Sequence, residues 1–361
     1  MKVLFIVRST LLTNRGGDTV QVQQTAAWLN KLNVDTTIRL SNESIDYKPY
    51  DLLHFFNITR PADMLIHIKA SGKPFVISPI FVDYLEYDRL IRTGFSGLLF
   101  RLLPFGMSEY VKVIARSLFG SEKIVSKEYL VRGHQPSIQK ILKNARLLLP
   151  NSTNEYNRLF AAYGIEKNYT VIPNAVDDIF ISNAADSERD PLLVICVGRI
   201  EGLKNQLNLI KALNTTSYKL LLIGNAASNQ PGYYQLCRKT AGENIRFLPF
   251  MPQEELVSWY RKAAIHVLPS WFETTGLSSL EAAAMGCKIV ITNKGDTREY
   301  FGDDAVYCDP SSPETILHAI QSAAIKDTSR LQQKISDQFT WRETARKTAD
   351  AYQSIVQCAT T

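Results

Sequence analysis

The sequence predicts an α/β protein made of two halves, each organised on a parallel β-sheet. Short apolar runs of strand character alternate with helical patterns along the chain, which is the signature of parallel sheets. A length of 361 residues favours two cores over one. The rhythm breaks at VIPNAVDDIFISNAADSERDP, residues 171–191, a polar stretch bearing Pro and Asp that reads as an interdomain connection. The expected division is a first domain over 1–173, a linker over 174–190 and a second domain over 191–340.

In order, the candidate strands of the first half are 3–7, 36–40, 51–56, 74–78, 146–150 and 170–172. The opening MKVLFIV has five apolar residues before Arg8, too few for a signal-peptide core, and reads as a first strand. Between it and the first helix lies a long loop ending in Gly16 and Gly17. Asp18 follows, with Gln21 three residues on, so the spacing predicts a capping box with Asp18 as N-cap of a helix over 19–32. His54, near the end of DLLHFF, is expected to cap a neighbouring strand. Residues 84–135 interrupt the pattern with a long aromatic and basic stretch. From 89 to 132 it holds eight Lys+Arg against three Asp+Glu, and apolar clusters alternate with Arg92 and Arg101. Packed helices between strands are one reading, and a surface that grips an anionic membrane or a lipid-linked substrate is the other.

The second half restarts with LLVICVG at 192–198 and continues with strand candidates 218–224, 245–248, 265–268 and 288–291, separated by Leu- and Ala-rich helices. The chain then runs into FTWRETARKTADAYQSIV, helical by pattern.

Charge and cysteine usage bound the function. Residues 1–174 hold 22 Lys+Arg against 14 Asp+Glu, whereas the remainder holds 19 against 21, so the basic excess lies in the first half and suggests an anionic partner there. No recognised nucleic-acid-binding motif accompanies it, so no nucleic-acid partner is expected. No apolar run approaches the roughly 18 residues of a spanning helix. Five scattered cysteines without CxxC spacing fit a reduced, cytoplasmic setting and argue against a zinc site.

Two stretches of the second half carry the chemistry. In LPSWFETTGLSSLEAAAMGC, residues 268–287, a strand end passes through a small-residue turn into a helix expected to open near Thr275. Gly276 allows close approach to the backbone, and the N–H groups around Gly276 and Leu277 face outward at the positive end of the helix. Glu273 and Glu281 flank that turn. A carboxylate beside a phosphate is repelled, so their expected partners are hydroxyls of a sugar or ribose. In VGRIEGLK, residues 197–204, Gly198 makes the strand-to-helix turn and Arg199 and Lys204 supply two cations suited to a diphosphate. Both stretches fall at the carboxyl ends of strands, where α/β sheets bind ligands. Phosphate plus polyol suggests a nucleotide sugar.

The spacing of Glu273 and Glu281 resembles the E-x7-E motif of retaining glycosyltransferases of family 4 (glycosyl transferases group 1). VGR…K resembles that family's donor-diphosphate site, and IPNAVD resembles its PNGVD signature, with Ala175 in place of the usual glycine. The resemblance implies a GT-B fold, two Rossmann-like domains whose parallel sheets face each other across a cleft, with a terminal helix over about 341–361 crossing back to the first domain. It implies a hexosyl-type transferase that moves a sugar from a UDP- or GDP-sugar to a glycan or lipid-linked acceptor, in surface polysaccharide or lipopolysaccharide assembly. Arg199, Lys204 and Glu273 would be catalytic. Gly16, Gly17, Asn174, Gly198, Thr275, Gly276, Leu277 and Glu281 would bind the donor, Glu281 through the ribose. No DxD pair is present, so neither metal nor cofactor is expected, and the protein is placed in the cytoplasm, with possible peripheral attachment to the inner face of the membrane. One departure stands out: many members carry a histidine after the strand at 74–77, and here the text is FVISPIFVDYLEYD. Asp83, Arg92 and Arg101 are the remaining acceptor-side candidates. A GT-B epimerase of nucleotide sugars and a catalytically silent sugar-nucleotide scaffold are the alternatives.

Overall fold

A computed structural model describes residues 1–14, 16–82, 110, 126–184 and 188–357. The chain divides into two compact units. The first takes Met1–Phe81, the described residues from 110 to Asn174, and the helix that begins at Trp341; the second takes Val82 and Ala175–Thr340.

The first unit holds a five-stranded sheet of order β2-β1-β3-β4-β5, formed by Lys2–Val7 (β1), Asp35–Leu40 (β2), Leu52–Phe56 (β3), Phe75–Ser78 (β4) and Leu147–Leu148 (β5). All its pairings are parallel. A parallel sheet is covered on both faces, which is why its strands read as continuous apolar runs. LLHFF of β3 is buried throughout. Residues 170–172, expected as a strand, do not form one: only Tyr169 bridges to Leu148, and Thr170 N–H donates to the Leu148 carbonyl.

Two local expectations fail for the same reason, a tertiary partner. Helix α1 (Gly17–Lys31) is capped by Gly16, whose N–H donates to Thr19 Oγ1, not by Asp18. Asp18 instead pairs with Arg8 at 2.6 Å, and Gln21 donates to Asn151 Oδ1. His54 caps nothing. It sits mid-strand and fully buried, with Nδ1 2.6 Å from Tyr352 Oη and Nε2 2.9 Å from Ser78 Oγ. Burial pushes the imidazole down to about 3, so it stays neutral. Tyr352 belongs to the helix Trp341–Gln357, which packs against α1 and buries Ala345, Ala349 and Tyr352 beside β1.

The second unit holds a six-stranded parallel sheet of order β11-β10-β9-β6-β7-β8. Its strands are Asp190–Val197 (β6), Lys219–Ile223 (β7), Ile245–Leu248 (β8), Ala263–Leu268 (β9), Lys288–Thr292 (β10) and Val306–Cys308 (β11). Strand order reverses between β6 and β9, so their carboxyl ends open a crevice at the topological switch point. The short edge strand β11 is absent from the sequence reading because three residues are too few to show a period. Within the stretch expected as a linker, Val176 pairs with Thr340, Phe180 is fully buried, and the Arg189 guanidinium donates to the carbonyls of Tyr260, Ala263 and Met285. Cys196, Cys237, Cys287 and Cys308 are free thiols, all buried. Among the described residues no helix is long and apolar enough to cross a membrane.

Candidate functional site

The candidate site lies at the switch point of the second unit. Gly198, directly after β6, has φ +154°, and its N–H donates to the Ile223 carbonyl. Arg199 follows, then a 3-10 turn, Gly202–Lys204, that ends on Asn205 in the left-handed region. Asn205 Nδ2 donates to the carbonyls of Pro269 (3.1 Å) and Pro310 (2.7 Å), tying the loop after β6 to those after β9 and β11. Trp271 N–H adds a bond of 2.8 Å to the Leu203 carbonyl.

These ties bring together two features that the sequence offers as independent. Lys204 Nζ lies 2.6 Å from Glu273 Oε1, and Ser270 Oγ donates to the same oxygen at 2.5 Å. The Glu273 side chain is 7% exposed and that of Lys204 23%, so the pair is largely shielded from water. The cations are therefore not bare. Arg199 carries Glu201 as a partner at 3.3 Å, though its side chain keeps 45% exposure. Lys204 uses one of three ammonium donors on Glu273, and among the described residues both side-chain contacts to the Glu273 carboxylate fall on Oε1. Oε2 is thus left to accept from a ligand.

The helix after this turn is Leu277–Ala284, opening two residues later than Thr275. Gly276 is its N-cap, with φ 75° and ψ 65°. A Cβ there would be strained by the backbone and would sit 3.0 Å from Ile291 Cδ1. The amides at the start of a helix have no intrahelical acceptor, so those of Leu277 and Ser278 are available to an anion. Leu280, Ala284 and Met285 are fully buried and seat the helix, while Leu277 is only partly covered. Thr275 is 1% exposed.

Glu281, one turn in, is held differently from Glu273. Its Oε2 accepts from Tyr260 Oη at 3.0 Å and its Oε1 from Gln253 Nε2 at 3.2 Å. Desolvation raises this carboxyl to about 7, partly offset by those two bonds and reinforced by Asp177. A carboxylate poised near neutrality in a ligand crevice is a functional-site signature.

Several residues that build the site escaped the sequence reading. Gly295, at φ +95°, pairs with Glu273, and a Cβ on it would lie 2.0 Å from the Glu273 carbonyl oxygen. Gly224, at φ +147°, faces Gly198 in the same way, with a Cβ 2.1 Å from its carbonyl oxygen. Each glycine lets two strand-end loops cross backbone to backbone. The signal was a glycine just after an apolar run, in LLLIG and IVITNKG, as in CVG. Ser270, Tyr260 and Gln253 had no local signal at all. Among the buried polar atoms, Trp271 Nε1 has no hydrogen-bond partner.

Of the remaining candidates, Gly16 and Gly17 cap and begin α1 in the first unit, and Asn174, 5% exposed, is that unit's last residue before Ala175. Asp83, Arg92 and Arg101 lie outside the described residues.

Comparison with known families shows what the second unit is similar to. Residues 177–339 match the glycosyl transferases group 1 family. These bounds nearly coincide with the Ala175–Thr340 segment of the second unit. The chain is 26% identical over 250 residues to D-inositol 3-phosphate glycosyltransferase of Paenarthrobacter aurescens (strain TC1), covering 62% of this chain and 61% of the relative. It is 30% identical over 161 residues to O-antigen chain mannosyltransferase B of Escherichia coli, covering 42% of each. The chain thus spans about three fifths or less of the length of these curated relatives. Among solved structures, sucrose-phosphate synthase from Thermosynechococcus elongatus matches with a TM-score of 0.73 at 15% identity over 99% of this chain and all of that one. Anabaena Alr3699/HepE in complex with UDP and glucose matches with a TM-score of 0.70 at 15% identity over 98% of this chain and 100% of that one. The fold is GT-B, and Arg199, Lys204, Glu273 and Glu281 all lie inside the matched residues 177–339.

Proposed function

We propose that this protein is a retaining glycosyltransferase of family 4 that moves a sugar from a nucleoside-diphosphate sugar to a glycan or lipid-linked acceptor, in surface polysaccharide or lipopolysaccharide assembly. The observation that carries the reading is the Lys204–Glu273 pair at the switch point, because it joins a phosphate-directed cation to a hydroxyl-directed carboxylate. The ammonium keeps two donors for the diphosphate while Glu273 Oε2 accepts from a sugar hydroxyl. Arg199, half exposed, reaches the same diphosphate, and the amides of Gly276 and Leu277 add partial positive charge. These groups stabilise the charge that grows on the leaving diphosphate as the anomeric bond breaks. A phosphate oxygen on that same face takes the proton of the attacking acceptor hydroxyl, so the new bond forms with retention and no further base is required. Glu281 accepts from the ribose. The charge on the diphosphate is met by side chains and amides, so the reaction runs without a metal ion or cofactor.

The name of the Escherichia coli relative and the basic first half support a glycan or lipid-linked acceptor and contact with an anionic membrane surface from the cytoplasmic side. A thermal-shift panel of nucleoside diphosphates and their sugars tests the donor assignment. A ligand at a hundred times its Kd stabilises by about 2.7 kcal/mol. Absence of any shift across the panel would refute it, and conversion of a responding donor without an acceptor, with the nucleotide retained, would identify an epimerase instead.

A further inference from the structure

We propose that Tyr260 and Gln253 are positioning residues that lock the Glu281 carboxylate to receive two neighbouring ribose hydroxyls, and so make the site selective for ribonucleotide over deoxyribonucleotide donors. The inference rests on the assignment of Glu281 to the ribose.

Both residues come from one helix, Gln253–Lys262, and stand seven residues apart, which places them on one face two turns from each other. Each takes a different carboxylate oxygen, Tyr260 Oη at 3.0 Å from Oε2 and Gln253 Nε2 at 3.2 Å from Oε1. The terminal torsion of a free glutamate is broad. Two donors on opposite oxygens fix it, and each oxygen keeps a second lone pair. One acceptor site per oxygen is what a vicinal diol requires.

The donors are themselves held. Tyr260 is 0% exposed, and its ring meets Phe180 edge-on with centroids 5.7 Å apart. Burial, and then the charge of Glu281, keep its phenol far above 10, so it remains a donor. The Arg189 guanidinium bonds the carbonyls of Tyr260 and Ala263 through Nη1, at 2.6 and 2.7 Å, and that of Met285 through Nη2. A single side chain therefore fastens the ends of the Tyr260 helix and the Glu281 helix together. Glu281 remains partly exposed, so the locked carboxylate is reachable by a ligand.

The test is calorimetric titration of the full chain with the nucleoside diphosphate selected by the panel and with its 2′,3′-dideoxy counterpart. Tyr260→Phe and Gln253→Ala are each expected to lower affinity for the ribonucleotide by about tenfold, the effect of losing one hydrogen bond to a charged group. Affinity for the dideoxy compound should change less than twofold, and donor KM should rise more than kcat falls. Glu281→Gln is the control. If it leaves the preference for ribose intact, the ribose assignment fails and takes this inference with it. If Glu281→Gln abolishes the preference while Tyr260→Phe and Gln253→Ala retain it, the positioning role alone is overturned. Equal losses for both nucleotides mean general distortion and also overturn it. Gln253 is partly exposed at the start of its helix, so its variant decides the matter should Tyr260→Phe fail to fold.

Discussion

Removing the Lys204 ammonium should damage stability as well as catalysis, and the two effects can be separated. Lys204→Ala leaves the Glu273 carboxylate, 7% exposed, with Ser270 as its remaining donor. Stripping one partner from a fully buried pair costs about 3–5 kcal/mol. Lys204 is 23% exposed, so water can enter where it stood and the expected loss is smaller, about 2 kcal/mol. For a unit of 150 or more residues that corresponds to a fall in Tm of roughly 4–8 °C. Adding Glu273→Gln removes the stranded charge and should restore most of the Tm, a coupling that a double-mutant cycle reads directly. Turnover should not return, because the double variant lacks both the cation and the carboxylate; Lys204→Ala alone should lower it by about 10²–10³. Differential scanning calorimetry of the ligand-free protein, followed by a donor-saturated rate assay, supplies both numbers. An unchanged Tm in Lys204→Ala, or a further Tm loss in the double variant, would refute the ion-pair account, and full turnover in Lys204→Ala would refute the phosphate role.

Glu281 predicts a pH signature. Its folded value of about 7 lies above the ordinary 4.5, so the stability it contributes is complete below the lower value and is lost as pH rises through the higher one. Glu281→Gln should therefore raise Tm relative to the wild type at pH 8 and lose that advantage at pH 5. Affinity for a nucleotide sugar, whose own phosphates do not titrate there, should fall as pH drops through about 7, and Glu281→Gln should flatten that dependence. Gly295→Ala should displace Glu273 and lower turnover by about 10²-fold, the effect of roughly an ångström of misplacement, whereas Gly232→Ala, whose added Cβ meets nothing, should leave the rate unchanged. Transfer activity should survive EDTA; abolition by EDTA with rescue by magnesium or manganese would overturn the metal-free mechanism.

Much of this molecule was written in local pattern. Parallel strands buried on both faces leave continuous apolar runs, so both sheets were legible, and so was the strand-to-helix turn carrying Gly276 and the spacing of Glu273 and Glu281. Elements too short to show a period, such as Val306–Cys308, were not legible, nor was the failure of 170–172 to pair as a strand. Side-chain partners were the least readable. Asp18 has the chemistry of an N-cap, but Arg8, ten residues away, takes it, and His54 is claimed by Tyr352, 298 residues on. The sequence by itself determined which residue types stand at the carboxyl ends of β6 and β9, because charge, glycine and periodicity are local properties. Tertiary structure alone decided that Lys204 pairs with Glu273, 69 residues apart, and that Tyr260 and Gln253 hold Glu281. Those contacts exist only because strand order reverses between β6 and β9, bringing distant loops to the same end of one sheet.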